Sequence, residues 1–177
     1  MKKIVLATLV GILMLSSCTK ENYYDGKSTI TVKQYVDMLL DGTYSESTEY
    51  QTRCGLPDFS SKAIEELLSY GKDSRMIKSY PCNPISSYHM EECPLGVLML
   101  WTIESIRVKD DENCVKMMGY PSLNPLILRE SDKKWVNDEE SQSAAYNAYR
   151  KWWDKYRNDF ESAKKHDPLE GTGYSWR

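Results

Sequence analysis

The sequence contains little of what nucleic-acid binding or the common enzyme chemistries require. Its 23 Lys and Arg residues do not outnumber its 26 Asp and Glu residues, so no basic excess is available to neutralise phosphates. It has no glycine-rich phosphate loop, no Cys-x-x-Cys, no Gly-x-Ser-x-Gly and no helix with paired histidines. We therefore predict a protein that is not an enzyme, holds no cofactor and has no nucleic-acid partner.

Long hydrophobic runs are also scarce, and the one at the N-terminus is too short to span a membrane. Lys2 and Lys3 precede the apolar residues 4–15, and the small residues that follow end at Cys18. This order is typical of a secretory signal rather than a transmembrane anchor. The Leu-Ser-Ser-Cys ending resembles the lipobox of bacterial lipoproteins, which implies cleavage before Cys18 and attachment of fatty acyl chains such as palmitate to it.

The predicted signal divides the chain into three parts. Residues 1–17 form the lipoprotein signal peptide, residues 18–28 the lipidated cysteine with a flexible polar tether, and residues 29–177 a single helical domain. Loss of Lys2 and Lys3 moves the formal charge from −3 to −5. Several acyl chains make anchoring stable, so we predict an outer-membrane location, on either the periplasmic or the cell-surface face.

Four cysteines besides Cys18 remain, and an even number in an exported protein indicates disulfides. Four cysteines can form two disulfides in three different ways. If the helices predicted over residues 61–70 and 94–108 are antiparallel neighbours, the preferred pairs are Cys54–Cys114 and Cys82–Cys93. His89 lies between two of these cysteines, but its spacing matches no zinc pattern and we predict no metal site.

Helical periodicity dominates the rest of the chain. Residues 94–108 are apolar on every side of a helical wheel, which predicts a helix surrounded by protein. Helices are also expected after a capping box at residues 31–34, after Ser60, and from a second capping box at Asn137. Segments 126–130 and 135–136 favour a small hairpin. The predicted fold class is mainly α, with about four helices around a central buried helix and at most one short β-hairpin.

Phenylalanine is rare, with 2 Phe against 13 Tyr and 5 Trp. Tyr and Trp carry a polar tip and suit half-buried positions, interfaces and sugar-stacking surfaces. One face of the last long helix carries four of them: Tyr149, Trp152, Trp153 and Tyr156. These rings either line the core or form an exposed face that binds a glycan or a protein. The aromatic C-terminal tail is expected to pack back on the domain.

Glu104 is the one candidate for acid or base chemistry, because it falls on a buried side of the central helix. Burial raises the pKa of a carboxyl group and can make it a general acid or base. Arg107 lies one turn further on, so the alternative is a buried charge pair that serves stability alone. We expect the charge pair.

Five segments together resemble one known family. LPDFSSKAIEELLSY, NPISSY, LGVLMLWTIESIR, YPSLNP and DPLEGTGYSW are similar to an uncharacterised family of Bacteroidetes lipoproteins, a domain of unknown function. The resemblance supports the location and implies no activity, cofactor or site residue.

The predicted function is that of a lipid-anchored envelope lipoprotein without catalytic activity. It would act as a protein-interaction or structural module with an envelope protein as its partner. The alternatives are a glycan-binding surface lipoprotein and a hydrolase that uses Glu104.

Overall fold

The computed structural model describes residues 30–44, 55–83, 85–88, 90–109 and 120–176. Helix makes up 42% and strand 11%, with five α-helices and two small antiparallel sheets in those residues. The fold is therefore mixed α and β, and the prediction of a mainly α domain is wrong. The strands are only two or three residues long, too short for alternating hydrophobicity to reveal them in the sequence.

Two helices near the start of the domain begin at the expected caps. Helix α1, Val32–Leu40, has the capping box between Thr31 and Gln34. Ser60 accepts a hydrogen bond from the backbone of Lys62 and caps a 3₁₀ turn that leads into α2, Ile64–Ser69. Both helices turn their apolar faces inward, because their hydrophobic residues recur at helical spacing.

Helix α3, Leu95–Arg107, lies in the middle of the core. Every residue of it except Ser105 and Arg107 is buried. It follows strand β2, Cys93–Pro94, which pairs antiparallel with β1, Met76–Ile77. The amide N–H groups of Leu95 and Gly96 donate to the carbonyls of Arg75 and Asp73, both at 2.8 Å. The preceding segment thus satisfies the first N–H groups of a helix that has no side-chain cap.

Helix α4, Glu139–Tyr156, packs against α2 and α3 and is followed by the short α5, Phe160–Ala163. The N-cap of α4 is Asp138 and not the predicted Asn137: the Asp138 side chain accepts from the backbone N–H of Ser141. Asn137 is used elsewhere, since its amide bridges the carbonyl of Pro125 and the N–H of Ile127. A tertiary contact has moved the cap by one residue.

The predicted hairpin is present as β3, Ile127–Arg129, and β4, Lys134–Val136. The C-terminal tail adds β5, Tyr174–Trp176, to the other side of β3, so the sheet order is β4-β3-β5. The tail thus packs back, as expected, but as a strand. In the ranges described, no helix is both long and apolar enough to cross a membrane.

Candidate functional site

Glu104 and Arg107 are in direct contact within the core. Glu104 is 5% exposed. Arg107 Nη2 donates to Glu104 Oε1 at 2.6 Å and Arg107 Nε donates to Glu104 Oε2 at 2.9 Å. Arg107 Nη1 donates to the carbonyl of Lys164 at 3.0 Å. The two-pronged contact matches the planar guanidinium to the carboxylate, the strongest geometry for such a pair.

Two aromatic side chains extend this contact into a network. Tyr149 Oη donates to Glu104 Oε2 at 2.6 Å, and Trp176 Nε1 donates to Tyr149 Oη at 2.7 Å. Burial, together with the negative charge of Glu104, holds the pKa of Tyr149 well above its usual value of 10. Burial lowers the pKa of Arg107, but its hydrogen bond to Glu104 and the negative charge of that carboxylate together outweigh burial, so the pKa is raised.

The hydrogen bonds of this network already occupy the Glu104 carboxylate, which makes it unavailable for acid or base chemistry. Both carboxylate oxygens accept hydrogen bonds from Arg107, and one also accepts from Tyr149. A general acid or base needs a reacting proton within hydrogen-bond reach. A substrate would have to displace Arg107 or Tyr149 from a nearly sealed position. The arrangement therefore fits a structural role.

The four rings predicted as an aromatic face do not form an exposed surface. Tyr149, Trp152 and Trp153 are buried. Trp152 Nε1 donates to the carbonyl of Ala163, and Trp153 Nε1 donates to Glu65 Oε2. Tyr156 is half-buried and stacks on His166, with ring centroids 4.8 Å apart. The rings and their polar tips are used to join α4 to its neighbours, so they are not a platform for a glycan.

The predicted Cys82–Cys93 disulfide is absent, because Cys93 is a free, buried thiol. Its side chain lies within hydrogen-bonding distance of the carbonyl of Pro125, 3.9 Å away. Burial raises the pKa of this thiol, which keeps it protonated and unreactive. Strand pairing of β2 with β1 directs Cys93 into the core. The predicted Cys54–Cys114 pair and the acylated Cys18 lie outside the described residues.

Metal binding has no support in the described part of the chain, where no three His, Cys, Asp or Glu side chains cluster. His89 lies outside that part.

A pair of exposed rings was missed in the sequence. Tyr88 is 42% exposed and Trp135, on β4, is 40% exposed. Their rings meet edge to face, with centroids 4.4 Å apart, and Ile85 is exposed nearby in the sequence. The loop is held by Ser86 Oγ, which accepts a hydrogen bond from Asn124 Nδ2 at 2.7 Å. We call Tyr88 and Trp135 the exposed ring pair.

A cavity of about 440 Å³ lies where the loop before β1 meets the start of α4. Polar side chains dominate its lining, with Met76 and Pro94 as an apolar part. The polar lining residues are Lys72, Ser74, Asn137, Glu139, Gln142 and Ser143.

Residues 27–177 match a family model described as Domain of unknown function (DUF4943). The chain belongs to the DUF4943 family. No curated protein and no solved structure shows significant similarity to the chain. The resemblance to a domain of unknown function is thus confirmed, while the bacterial group and the lipoprotein character remain predictions.

Sequence reasoning missed two features of this DUF4943 domain, the exposed ring pair and the cavity. The sequence contained a signal for the first of them. Trp135 lies in a predicted hairpin strand and directly follows Lys133 and Lys134, a context that favours a half-exposed ring. The cavity had no such signal, because its lining residues come from three separate segments, residues 72–76, Pro94 and residues 137–143, which only folding brings together.

Proposed function

We propose that the chain is a lipid-anchored lipoprotein of the bacterial envelope whose domain is a non-catalytic protein-interaction module. The anchor is supported by the sequence alone: Lys2 and Lys3, the apolar residues 4–15 and the Leu-Ser-Ser-Cys ending at Cys18. The location proposed is the outer membrane, on either face, and the lipoprotein family is proposed to be that of Bacteroidetes.

A non-catalytic role is supported by the state of Glu104. Its carboxylate is enclosed by Arg107 and Tyr149, which removes the support for the hydrolase alternative. The glycan alternative depended on the rings of α4, and three of the four are buried.

The observation that carries the interaction role is the exposed ring pair. Tyr and Trp are the residues that most often supply the binding energy of protein interfaces, because their rigid rings bury much area at small entropic cost. Tyr88 and Trp135 already contact each other, so their orientation is set before a partner arrives. The hydrogen bond from Asn124 to Ser86 holds the Tyr88 loop in place. A protein of the envelope is the proposed partner.

The anchor is tested by feeding cells an alkyne analogue of palmitate and comparing the natural chain with Cys18→Ser. We expect the label on the natural chain only, and release of the variant from the membrane fraction. A natural chain that stays unlabelled, or a Cys18→Ser variant that is labelled equally, would disprove the anchor.

The interaction is tested by placing a photo-crosslinking amino acid at Trp135 in living cells. The control position is Lys151, which is exposed on α4. We expect one discrete protein adduct from position 135, lost when Tyr88→Ala is added, and no such adduct from position 151. Identical adducts from both positions, or none from position 135, would refute the proposed surface.

A further inference from the structure

Gln142 holds an unusual position at the cavity. It is 6% exposed, and its Nε2 donates to the carbonyls of Gly71 and Asp73 at 3.3 and 3.2 Å. Carbonyl oxygens only accept hydrogen bonds, so the amide nitrogen must face them. The absence of a side chain at Gly96 permits this approach, since a Cβ there would lie 2.3 Å from Nε2.

The orientation of the amide leaves Gln142 Oε1 on the opposite side. Among the residues that the structure describes, none donates a hydrogen bond to this oxygen. Gln142 Oε1 is not fully buried, so it is accessible at the cavity wall and can accept a hydrogen bond from a donor that enters the cavity.

Two opposite charges accompany Gln142 in the cavity lining. Lys72 and Glu139 form no ion pair with any residue in the described ranges. The charges beside them are already matched: Arg75 pairs with Asp73 at 2.5 Å, and Asp138 caps α4. Lys72 Nζ lies 4.7 Å from the centroid of the Tyr146 ring, which positions the ammonium group. The cavity therefore offers one positive group and one negative group beside the neutral acceptor of Gln142.

We propose that this cavity binds a small zwitterion, either a free amino acid or a short peptide. The ligand's carboxylate pairs with Lys72, and its ammonium group pairs with Glu139 and donates to Gln142 Oε1. Met76 and Pro94 supply apolar contact to the ligand's side chain. The volume of about 440 Å³ falls within the range of small-molecule sites. This site is independent of the exposed ring pair and of the lipid anchor.

The test is calorimetric titration of the full chain in detergent micelles with each of the twenty L-amino acids, then with Ala-Ala and Ala-Ala-Ala. We expect at least one of these compounds to bind. Binding of single amino acids identifies a free amino acid as the ligand, and binding of the Ala peptides alone identifies a peptide. Absence of binding throughout the panel overturns the proposal.

Variants at the two charged positions locate the site. We expect Lys72→Met and Glu139→Gln each to weaken binding about tenfold or more, the size of a lost charge-assisted hydrogen bond. Lys72→Met should also remove the preference for the free acid over its amide, and Glu139→Gln the preference for the free amine over its N-acetyl form. The controls are Lys151→Met and Glu170→Gln, exposed residues that do not line the cavity. Equal effects from the controls would place the binding elsewhere and overturn the proposal.

Discussion

At the scale of single residues, Glu104 shows how the core of this domain accommodates a negative charge. The helical spacing paired it with Arg107, and the two are in contact. Tyr149, Trp176 and the carbonyl of Lys164 could not be foreseen, because they lie 45 or more residues away along the chain. A buried ion pair is not itself evidence of stabilisation, but removing one partner leaves the other charge in the core.

Glu104→Gln is therefore expected to destabilise the fold by about 3 kcal/mol, since Arg107 remains buried without a counter-charge. The measurement is the free energy of unfolding from urea titration. The matched control is Glu161→Gln, which removes a Glu–Lys pair of the same spacing with Glu161 77% exposed. The control should lose less than about 1 kcal/mol. Equal losses from the two variants would contradict a special role for the buried pair.

The raised pKa of Tyr149 makes the free energy of unfolding depend on pH in the alkaline range. The pKa of Tyr149 lies well above 10 in the folded chain and has its usual value of 10 in the unfolded chain. The contribution of Tyr149 to the free energy of unfolding is thus fully present below about pH 10. It decreases above that pH, because the unfolded state loses the Tyr149 proton before the folded state does. The slope reaches at most about 1.4 kcal/mol per pH unit.

Tyr149→Phe is expected to cost about 1–3 kcal/mol at neutral pH, since Glu104 and Trp176 each lose a hydrogen bond. Above pH 10 the difference in the free energy of unfolding between the variant and the natural chain should shrink. Only the natural chain loses stability through ionisation of Tyr149, since the two chains share all other titrating groups. The measurement is urea unfolding at pH 8, 10 and 11. A constant difference across these pH values would show that the Tyr149 proton is not involved.

At the scale of elements, the start of α3 depends on close packing with the loop after α2. A Cβ at Gly96 would lie 2.3 Å from Gln142 Nε2 and 2.6 Å from the carbonyl oxygen of Gly71. The second contact is with backbone, which cannot move aside cheaply. The glycine is thus required by proximity rather than by an unusual backbone angle.

Gly96→Ala is expected to destabilise the domain by about 1–3 kcal/mol, because the clash exceeds the roughly 1 kcal/mol that alanine gains in a helix. The thermal midpoint measures the effect. Asn147→Ala, at an exposed position of α4, adds helix propensity without a clash and should be neutral or slightly stabilising. A Gly96→Ala variant as stable as the natural domain would be inconsistent with the packing.

At the scale of the whole molecule, both ends of the described domain meet in one core. Ile30 and Val32 near one end belong to the same hydrophobic cluster as α3 and Leu169. Trp176, in the last strand, hydrogen bonds to Tyr149 on α4. No described segment has a core of its own, so the domain should lose all its structure in one step.

We expect far-ultraviolet circular dichroism and tryptophan fluorescence to report the same urea midpoint. The first probe follows the helices, and the second follows buried rings such as Trp101 and Trp152. Ending the chain before Tyr174 removes β5 and should lower both midpoints equally. Two separate transitions would refute a single cooperative unit.

Features that depend on neighbouring residues could be predicted from the sequence. The capping box of α1, the buried character of α3 and the β3–β4 hairpin follow from spacing, propensity and turn composition within about a dozen residues. The export signal at Cys18 is also local, and it remains a prediction from sequence.

Features that depend on contacts made during folding could not be predicted from the sequence. Strand β5 exists because β3 offers it unpaired backbone groups more than 40 residues away along the chain. The cap of α4 moved to Asp138 because Asn137 bonds to Pro125 and to Ile127 at the start of β3, contacts that form only once the hairpin has folded. Packing also decided that the rings of α4 are buried, that Cys93 is a free thiol and that Gln142 faces the cavity. Periodicity identifies the face that a helix buries, but only the packed fold determines which groups are left to meet a ligand.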